Sequence, residues 1–388
     1  MSQAPTPDLP QNDETSDQPH PPKVSARTEF SFAQARTLIG DLSKPNPLIY
    51  WTDFLVTIVV AHAMLFAMRA MVDERWGESW VWIALPVAYI LAVIACMRAV
   101  MFIHELVHLP RDGFKGFRIA WNLLCGIPFF IPSFLYYPHV DHHRRKHYGT
   151  DHDGEYLELS HRSPWLIVGF ILQALVIPFL GIFRFVVLSP ICWLIPGARQ
   201  YVHRHASTMV VDPFYERTDG SPKLMRIVVL QEIGCFVVGM GLIFGHLIMK
   251  GVFFNPFWIV AYALGVGILT LNEIRTLGAH RWMNQGGEMS FEEQLLDSVN
   301  YPNHAWITEL WGPIGTRYHA LHHLFPRLPY HSMPEAHRRL AAGLPPESPY
   351  HKTTASSLTG EIINLFRRAT TRENRKGESH PDSTPVAT

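Results

Sequence analysis

Four long apolar runs limit what this chain can become more than any other feature. Trp51 to Met71, Trp80 to Ile103, Ile227 to Met249 and Phe253 to Leu271 each come close to or exceed the roughly 20 residues that cross a hydrocarbon core as a helix. Backbone polar groups in lipid are satisfied only by helices or closed barrels, and runs of this length select the helix. The runs come in pairs. Val72-Asp-Glu-Arg-Trp-Gly-Glu-Ser79 joins the first two, and Lys250-Gly251 joins the second two. The expected architecture is therefore an all-α integral membrane protein with four transmembrane helices in two hairpins. The 33 basic residues are cancelled by 33 acidic ones, so no positive surplus points to nucleic acid. Cys96, Cys125, Cys192 and Cys235 sit in apolar runs without a CxxC pairing and read as small core hydrophobes.

Beside these runs stand three histidine clusters: His104-Glu-Leu-Val-His108, His139-Val-Asp-His142-His143 and His319-Ala-Leu-His322-His323. On a helix, positions i, i+3 and i+4 share a face, so each cluster is expected to aim its imidazoles at one point. His280 stands alone as a ninth candidate, and His147 extends the second cluster by another turn. Four imidazoles fill a tetrahedral site, so more than six suggest two metal ions. Imidazole suits zinc, copper, iron or nickel, and spacing does not name the element.

If the clusters bind the same metals, they lie on one side of the membrane, and the number of crossings between them is even. Phe117 to Tyr137 is apolar but cannot be a single span between His104 and His139; Pro128 and Pro132 would break it in any case. Trp165 to Leu194 faces the same test, with Pro178, Gly181 and Arg184 in mid-run. Both are expected to be in-plane or re-entrant segments. Basic residues gather on the histidine side: Arg111, Lys115, Arg118, Arg144, Arg145, Lys146, Arg275 and Arg281. The positive-inside rule then makes this side a cytoplasmic, histidine-rich metal-binding cap.

Residues 1–45 read as an N-terminal tail, 46–345 as the membrane domain and 346–388 as a polar C-terminal tail. Met1 to about Lys23 lacks the pattern of a cleavable signal and is expected to be disordered, as is part of the stretch after Ser348. Thr28 to Leu42 suits a short helix on the bilayer surface. Asp151, His152, Asp153 and Glu155 read as residues that support a metal-binding histidine or lie on the surface, while Glu105, Asp141 and Glu273 are candidates to accept the second N–H of such a histidine. His62 and His246 read as structural, and His203 and His205 as solvated near headgroups.

The order HxxxH, HxxHH, HxxHH, interleaved with two membrane hairpins, resembles the integral-membrane fatty acid desaturase family, which also holds lipid hydroxylases and ketolases. The resemblance runs from about Trp51 to Pro326. It implies two iron ions that use O2 and two electrons to remove hydrogens from an acyl chain and leave a double bond. Its ligands would be His104, His108, His139, His142, His143, His319, His322 and His323, with His280 matching a further histidine after the fourth span. Some members have an asparagine four residues before that histidine; here the position is Thr276, with Asn272 one turn earlier. The implied partners are a membrane lipid or acyl substrate and an external electron donor, a ferredoxin or a cytochrome b5-like protein docking near Arg144-Arg145-Lys146. The implied location is a bacterial inner membrane or an endoplasmic reticulum. Hydroxylation begins with the same hydrogen abstraction and is the alternative. An intramembrane zinc protease, with Glu105 as general base in the literal HExxH, is the remote one, because no later LDG aspartate occurs and six clustered histidines would lack a role.

Overall fold

The computed structural model describes residues 30–110, 113–218 and 220–378. The Met1 to Lys23 stretch, Arg111 and residues 379–388 lie outside them. Among the described residues the regular secondary structure is helical, apart from three isolated bridges, His280 to Ser298, Asn300 to Tyr318 and Asn300 to Thr354.

Pro47–Glu74 and Val81–His108 form the first expected hairpin. Asn46 Oδ1 accepts the Leu48 N–H at 3.0 Å, and Pro47 takes the first helical position, where a missing N–H costs nothing. The small side chains Ala61, Ala88, Ala92 and Cys96 are buried in one cluster with Met68, which lets the helices approach closely. Pro222–Lys250 and Phe257–Ala279 form the second hairpin. Gly251 ends the Pro222 helix at φ 69°, a left-handed conformation suited to glycine, and its N–H returns to Leu247 O at 2.8 Å.

A fifth apolar helix stands beside the four expected spans. Ile177–Leu194 is long and apolar enough to cross, and Pro164–Leu175 before it is a shorter apolar helix. The apparent breakers are accommodated. Pro178 and Pro190 fall in first turns, a π-helical turn over Arg184–Leu188 absorbs the backbone mismatch, and the Arg184 charge is neutralised internally. The parity argument survives, because the two helices run in opposite directions. Ile167 and Phe170 pack with Leu277 near the histidine end. Leu175 O accepts the Tyr262 hydroxyl at 2.9 Å, and Tyr262 lies about 27 Å from His280 at 1.5 Å per helical residue. The chain then climbs back, with Val186 facing Gly239 and Trp193 reaching Glu232.

Phe117 to Tyr137 does not cross. It breaks into Lys115–Trp121, a π turn at Asn122–Gly126 and a 3-10 turn at Ser133–Tyr136. Asn122 closes this re-entrant loop: its Oδ1 accepts the Ser133 N–H at 2.9 Å and its Nδ2 donates to Ser133 Oγ at 3.0 Å.

The described parts of the two expected tails pack against the rest of the protein. Phe32–Ile39 buries Ala35 and Ile39 against the cap helix Met333–Gly343, so it lies on protein. After Ser348, Tyr350 and Thr353 are fully buried. Leu358–Glu378 is a helix that buries Leu365 and Ala369 against the Pro164 and Phe257 helices. A Cβ on Gly278 would meet Leu358 Cδ1 at 2.1 Å, so a larger residue there would have to displace the Leu358 side chain. A polar average concealed the apolar face of this helix, Leu358, Ile362, Leu365, Phe366 and Ala369. His203 is buried where solvation was expected, whereas His62 is structural as read, its Nδ1 2.9 Å from Ile58 O. All four cysteines are buried and free.

Deep in the second half, the fully buried Glu232 accepts from Arg184 Nη2 at 2.6 Å and Arg199 Nη1 at 2.7 Å. Arg184 also donates to Ala206 O, Ser189 Oγ and Ser207 Oγ. Removing one partner of such a buried pair strands the other charge at a cost of about 3–5 kcal/mol. Glu232→Ala is therefore expected to lower the thermal midpoint in detergent markedly, and Glu232→Leu combined with Arg184→Leu to recover much of it. Equal, additive losses in the two single variants and the double would show that the pair is not coupled.

Candidate metal centre

The nine candidate histidines meet at one end of the helices, in two groups. One nitrogen from each of His104, His108, His139, His143 and His322 falls within 4.8 Å of the others, and His142, His280, His319 and His323 form a second such set. His147 is in neither; its ring lies 5.4 Å from His152.

This corrects the expectation that each cluster serves one point. The i, i+4 pairs stay together: His104 with His108, His139 with His143, and His319 with His323. The i+3 member crosses over, His142 leaving its cluster for the second group and His322 leaving its own for the first. An i+3 side chain is rotated about 300° from i and an i+4 side chain about 400°, so on these short helices they diverge by roughly 100°. The His139–His142 and His319–Leu324 helices present these edges to each other, and each shares rings with both groups. His143 Nε2 stands 3.0 Å from both His139 Nε2 and His322 Nε2. His319 Nε2 stands 2.8 Å from His280 Nε2 and 3.1 Å from His323 Nε2. An ion about 2.1 Å from each of two imidazole nitrogens at a right angle holds them about 3 Å apart, so the donor sets fit a metal pair.

Burial and mutual repulsion hold His139, His143, His319, His322 and His323 well below the usual histidine range, so they are neutral at neutral pH and could each offer a nitrogen to a metal. Burial likewise lowers His280, with Asp297 opposing it. His142 goes the other way: burial disfavours its charge, yet Asp153 outweighs burial and raises it.

The surrounding carboxylates sort out differently from expectation. Asp153 does accept from a clustered histidine, with Oδ2 2.8 Å from His142 Nδ1. Glu155 lies 3.7 Å from His139 Nδ1, and burial pushes it up to about 7. Glu105 is turned away, accepting the Tyr50 hydroxyl and the Tyr330 N–H. Engaged by these two donors, its carboxylate is not free to act as the general base an HExxH protease would need. Asp141 pairs with Arg144 at 2.8 Å, and Glu273 takes a hydrogen bond from Gln173. Arg275, expected on the basic surface, is buried, and it ties Asn272 Oδ1 at 3.1 Å to Thr276 Oγ1 at 2.9 Å.

Four residues escaped the sequence reading. The Tyr148 hydroxyl lies 2.8 Å from His280 Nδ1 and donates to Asp297 Oδ2 at 2.8 Å. Tyr156 donates to the same oxygen at 3.0 Å. Burial works against the Asp297 charge, but His280, the Met283 N–H and Tyr148 together hold the group below the usual carboxylate range. Tyr136 stacks on His139, with centroids 4.6 Å apart. Asp297 lies 17 residues from His280 in an ordinary amphipathic segment, and no spacing rule would have singled it out.

In metal-free protein the depressed histidines are neutral when folded and protonate near 6.5 when unfolded. The unfolded state then binds more protons below pH 6.5, and stability falls as the pH drops through that value. His142 contributes oppositely but is outnumbered. The thermal midpoint of chelator-treated protein should decline below about pH 6.5; a midpoint that rises on acidification would contradict the neutral-ligand assignment.

The fatty acid desaturase family model matches residues 80–354, which takes in every clustered histidine. A ceramide hydroxylase from Caulobacter vibrioides (strain NA1000 / CB15N) is 37% identical over 351 residues, covering 90% of this chain and 96% of the relative. No solved structure matches. With membrane helices, two convergent histidine groups and a match spanning most of its length, the chain belongs to the fatty acid desaturase family, the membrane di-iron desaturases and hydroxylases.

Proposed function

We propose that this protein is a membrane-bound, O2-dependent lipid hydroxylase acting on a ceramide, with iron held by the nine histidines. The observation that carries the reading is the 37% identity to a ceramide hydroxylase over 90% of the chain. It moves the emphasis from the desaturation implied by the motifs to the hydroxylation kept as its alternative. Desaturation remains the second reading, because the family includes both and the two reactions share the first hydrogen abstraction.

Two iron ions in these groups would supply the reductive activation of O2. The balance is one C–H bond and O2 plus two electrons and two protons, giving one C–OH and water. The chain's own residues do the rest. Asp153 and Tyr148 keep Nδ1 of His142 and His280 occupied, so Nε2 of each faces the metal side. Glu155, titrating near 7, can hold a proton at its carboxyl beside His139 at neutral pH. The first group is backed on its membrane side by the buried apolar side chains of the Val81–His108 helix, which keep water from the reacting carbon.

Electrons would come from a ferredoxin or cytochrome b5-like partner. Arg144, Arg145 and Lys146 are exposed directly after His143, a positive surface next to the metal ligands. With Lys115, Arg118 and Arg281 on the same end, the positive-inside rule favours a cytoplasmic metal centre.

The wild type and a His142→Ala, His143→Ala variant can be compared in a ceramide-producing host by lipid mass spectrometry and metal analysis. Ceramides heavier by one oxygen, made only by the wild type with about two irons per chain, are expected; ceramides lighter by two hydrogens would transfer the reading to desaturation. Bound zinc with unchanged lipids would sink both. Reversing charge at Arg144, Arg145 and Lys146 to Glu should slow reduction by an acidic protein donor and flatten its salt dependence, while dithionite reduction stays unchanged. Unaltered donor kinetics would place the docking surface elsewhere.

A further inference from the structure

Each metal position can be compared by what stands behind its ligands. Behind the four-histidine position, two imidazoles are backed by buried carboxylates. His142 Nδ1 meets both oxygens of Asp153, at 2.8 and 3.0 Å, and Asp153 is itself fixed by the Gly149 and Glu155 N–H groups at 2.8 and 2.9 Å. His280 Nδ1 meets the Tyr148 hydroxyl at 2.8 Å, and Tyr148 passes the hydrogen bond to Asp297. Asp297 is held in turn by Tyr156 and by the Met283 N–H. Both carboxylates are 2% exposed, so their negative charge acts through protein with little solvent screening.

The five-histidine position has no equivalent. Among the described residues, His104 Nδ1, His139 Nδ1, His143 Nδ1 and His322 Nδ1 are buried without a hydrogen-bond partner. The nearest carboxylate, Glu155, stops 3.7 Å from His139 Nδ1, beyond hydrogen-bond reach.

We propose that the two metal positions are unequal in affinity: the position built by His142, His280, His319 and His323 holds its ion more tightly than the one with more ligands, and is loaded first. The fifth neutral imidazole adds one donor. Against that, a carboxylate behind a ligating histidine raises its basicity, fixes its tautomer and partly neutralises the ion; losing one such partner typically costs about 10–100-fold in metal affinity. The four-histidine position has two. Tyr148 and Asp297 are thereby positioning residues that act through His280, and Asp153 acts through His142. The inference rests on the two-metal reading of the centre.

The test is a chelator titration of iron-loaded, detergent-solubilised protein, read as iron per chain with Mössbauer spectra of the retained ion. Wild type should lose iron in two steps, one ion leaving at low chelator. His108→Ala should abolish the weak step and His323→Ala the tight one, which assigns each step to its position. Asp153→Asn and Asp297→Asn should each move the tight step by about 10–100-fold toward lower chelator and leave the weak step in place. Tyr148→Phe should do the same to a smaller degree while keeping the ring and its packing, so it serves where an Asp variant fails to fold. Glu155→Gln should move neither step. Two ions lost in a single step, or a tight step unmoved in Tyr148→Phe and both Asp variants, would overturn the proposal with the two-metal reading intact. Fewer than two ions in the loaded wild type would overturn that reading itself.

Discussion

Nine imidazoles have to arrive uncharged at one end of a set of membrane helices, and the rest of the fold answers to that requirement. A cation could be held there because the rings are buried deeply enough to stay neutral, and because nitrogens such as both of His104 and Nε2 of His108 are buried with no hydrogen-bond partner among the described residues to compete for them. The return of the chain to this end follows. The first hairpin delivers His104 and His108, a re-entrant loop brings His139 to His143, and a further helical pair and hairpin bring His280 and the third cluster. Any odd number of crossings between clusters would have divided the site by a bilayer.

Burial on this scale leaves other polar groups to be satisfied, and the protein handles them locally. Asn122 closes the re-entrant loop on Ser133. Glu232 absorbs two guanidinium charges inside the second half, which lets an arginine occupy a helix otherwise apolar enough to span. Around the site, carboxylates of the described residues are unevenly distributed, with Asp153 and Asp297 behind one group and the more distant Glu155 near the other. An uneven polar shell is a direct way for a protein to make chemically similar ligand sets behave differently.

Much of this was legible in the sequence because the signals were strong and local. Twenty-residue apolar runs, and histidines at helical spacing beside them, carry their meaning without long-range information. The parity argument extended that reach, since it needed only the assumption of one shared site. The errors arose where an average or a local rule hid a tertiary partner. Arg184 looked like a break in Trp165 to Leu194 because Glu232, 48 residues on, was not visible as its counter-charge. The stretch after Ser348 looked like a tail because its overall polarity masked the apolar stripe that docks on Gly278. Asp297 and Tyr148 carried no spacing signal, since a hydrogen bond to a histidine demands proximity in space alone.

The sequence by itself determined that this chain is a helical membrane protein with a histidine metal centre at one end, because hydrophobic length and i, i+4 spacing are properties of consecutive residues. Only the tertiary structure decided which imidazole serves which position. His142 and His322 leave their own clusters because two short helices face each other and a side chain at i+3 points about 100° away from its neighbour at i+4. That partition, and the carboxylates behind half of it, depends on contacts between residues as far apart as 39 and 179 positions, which no local pattern records.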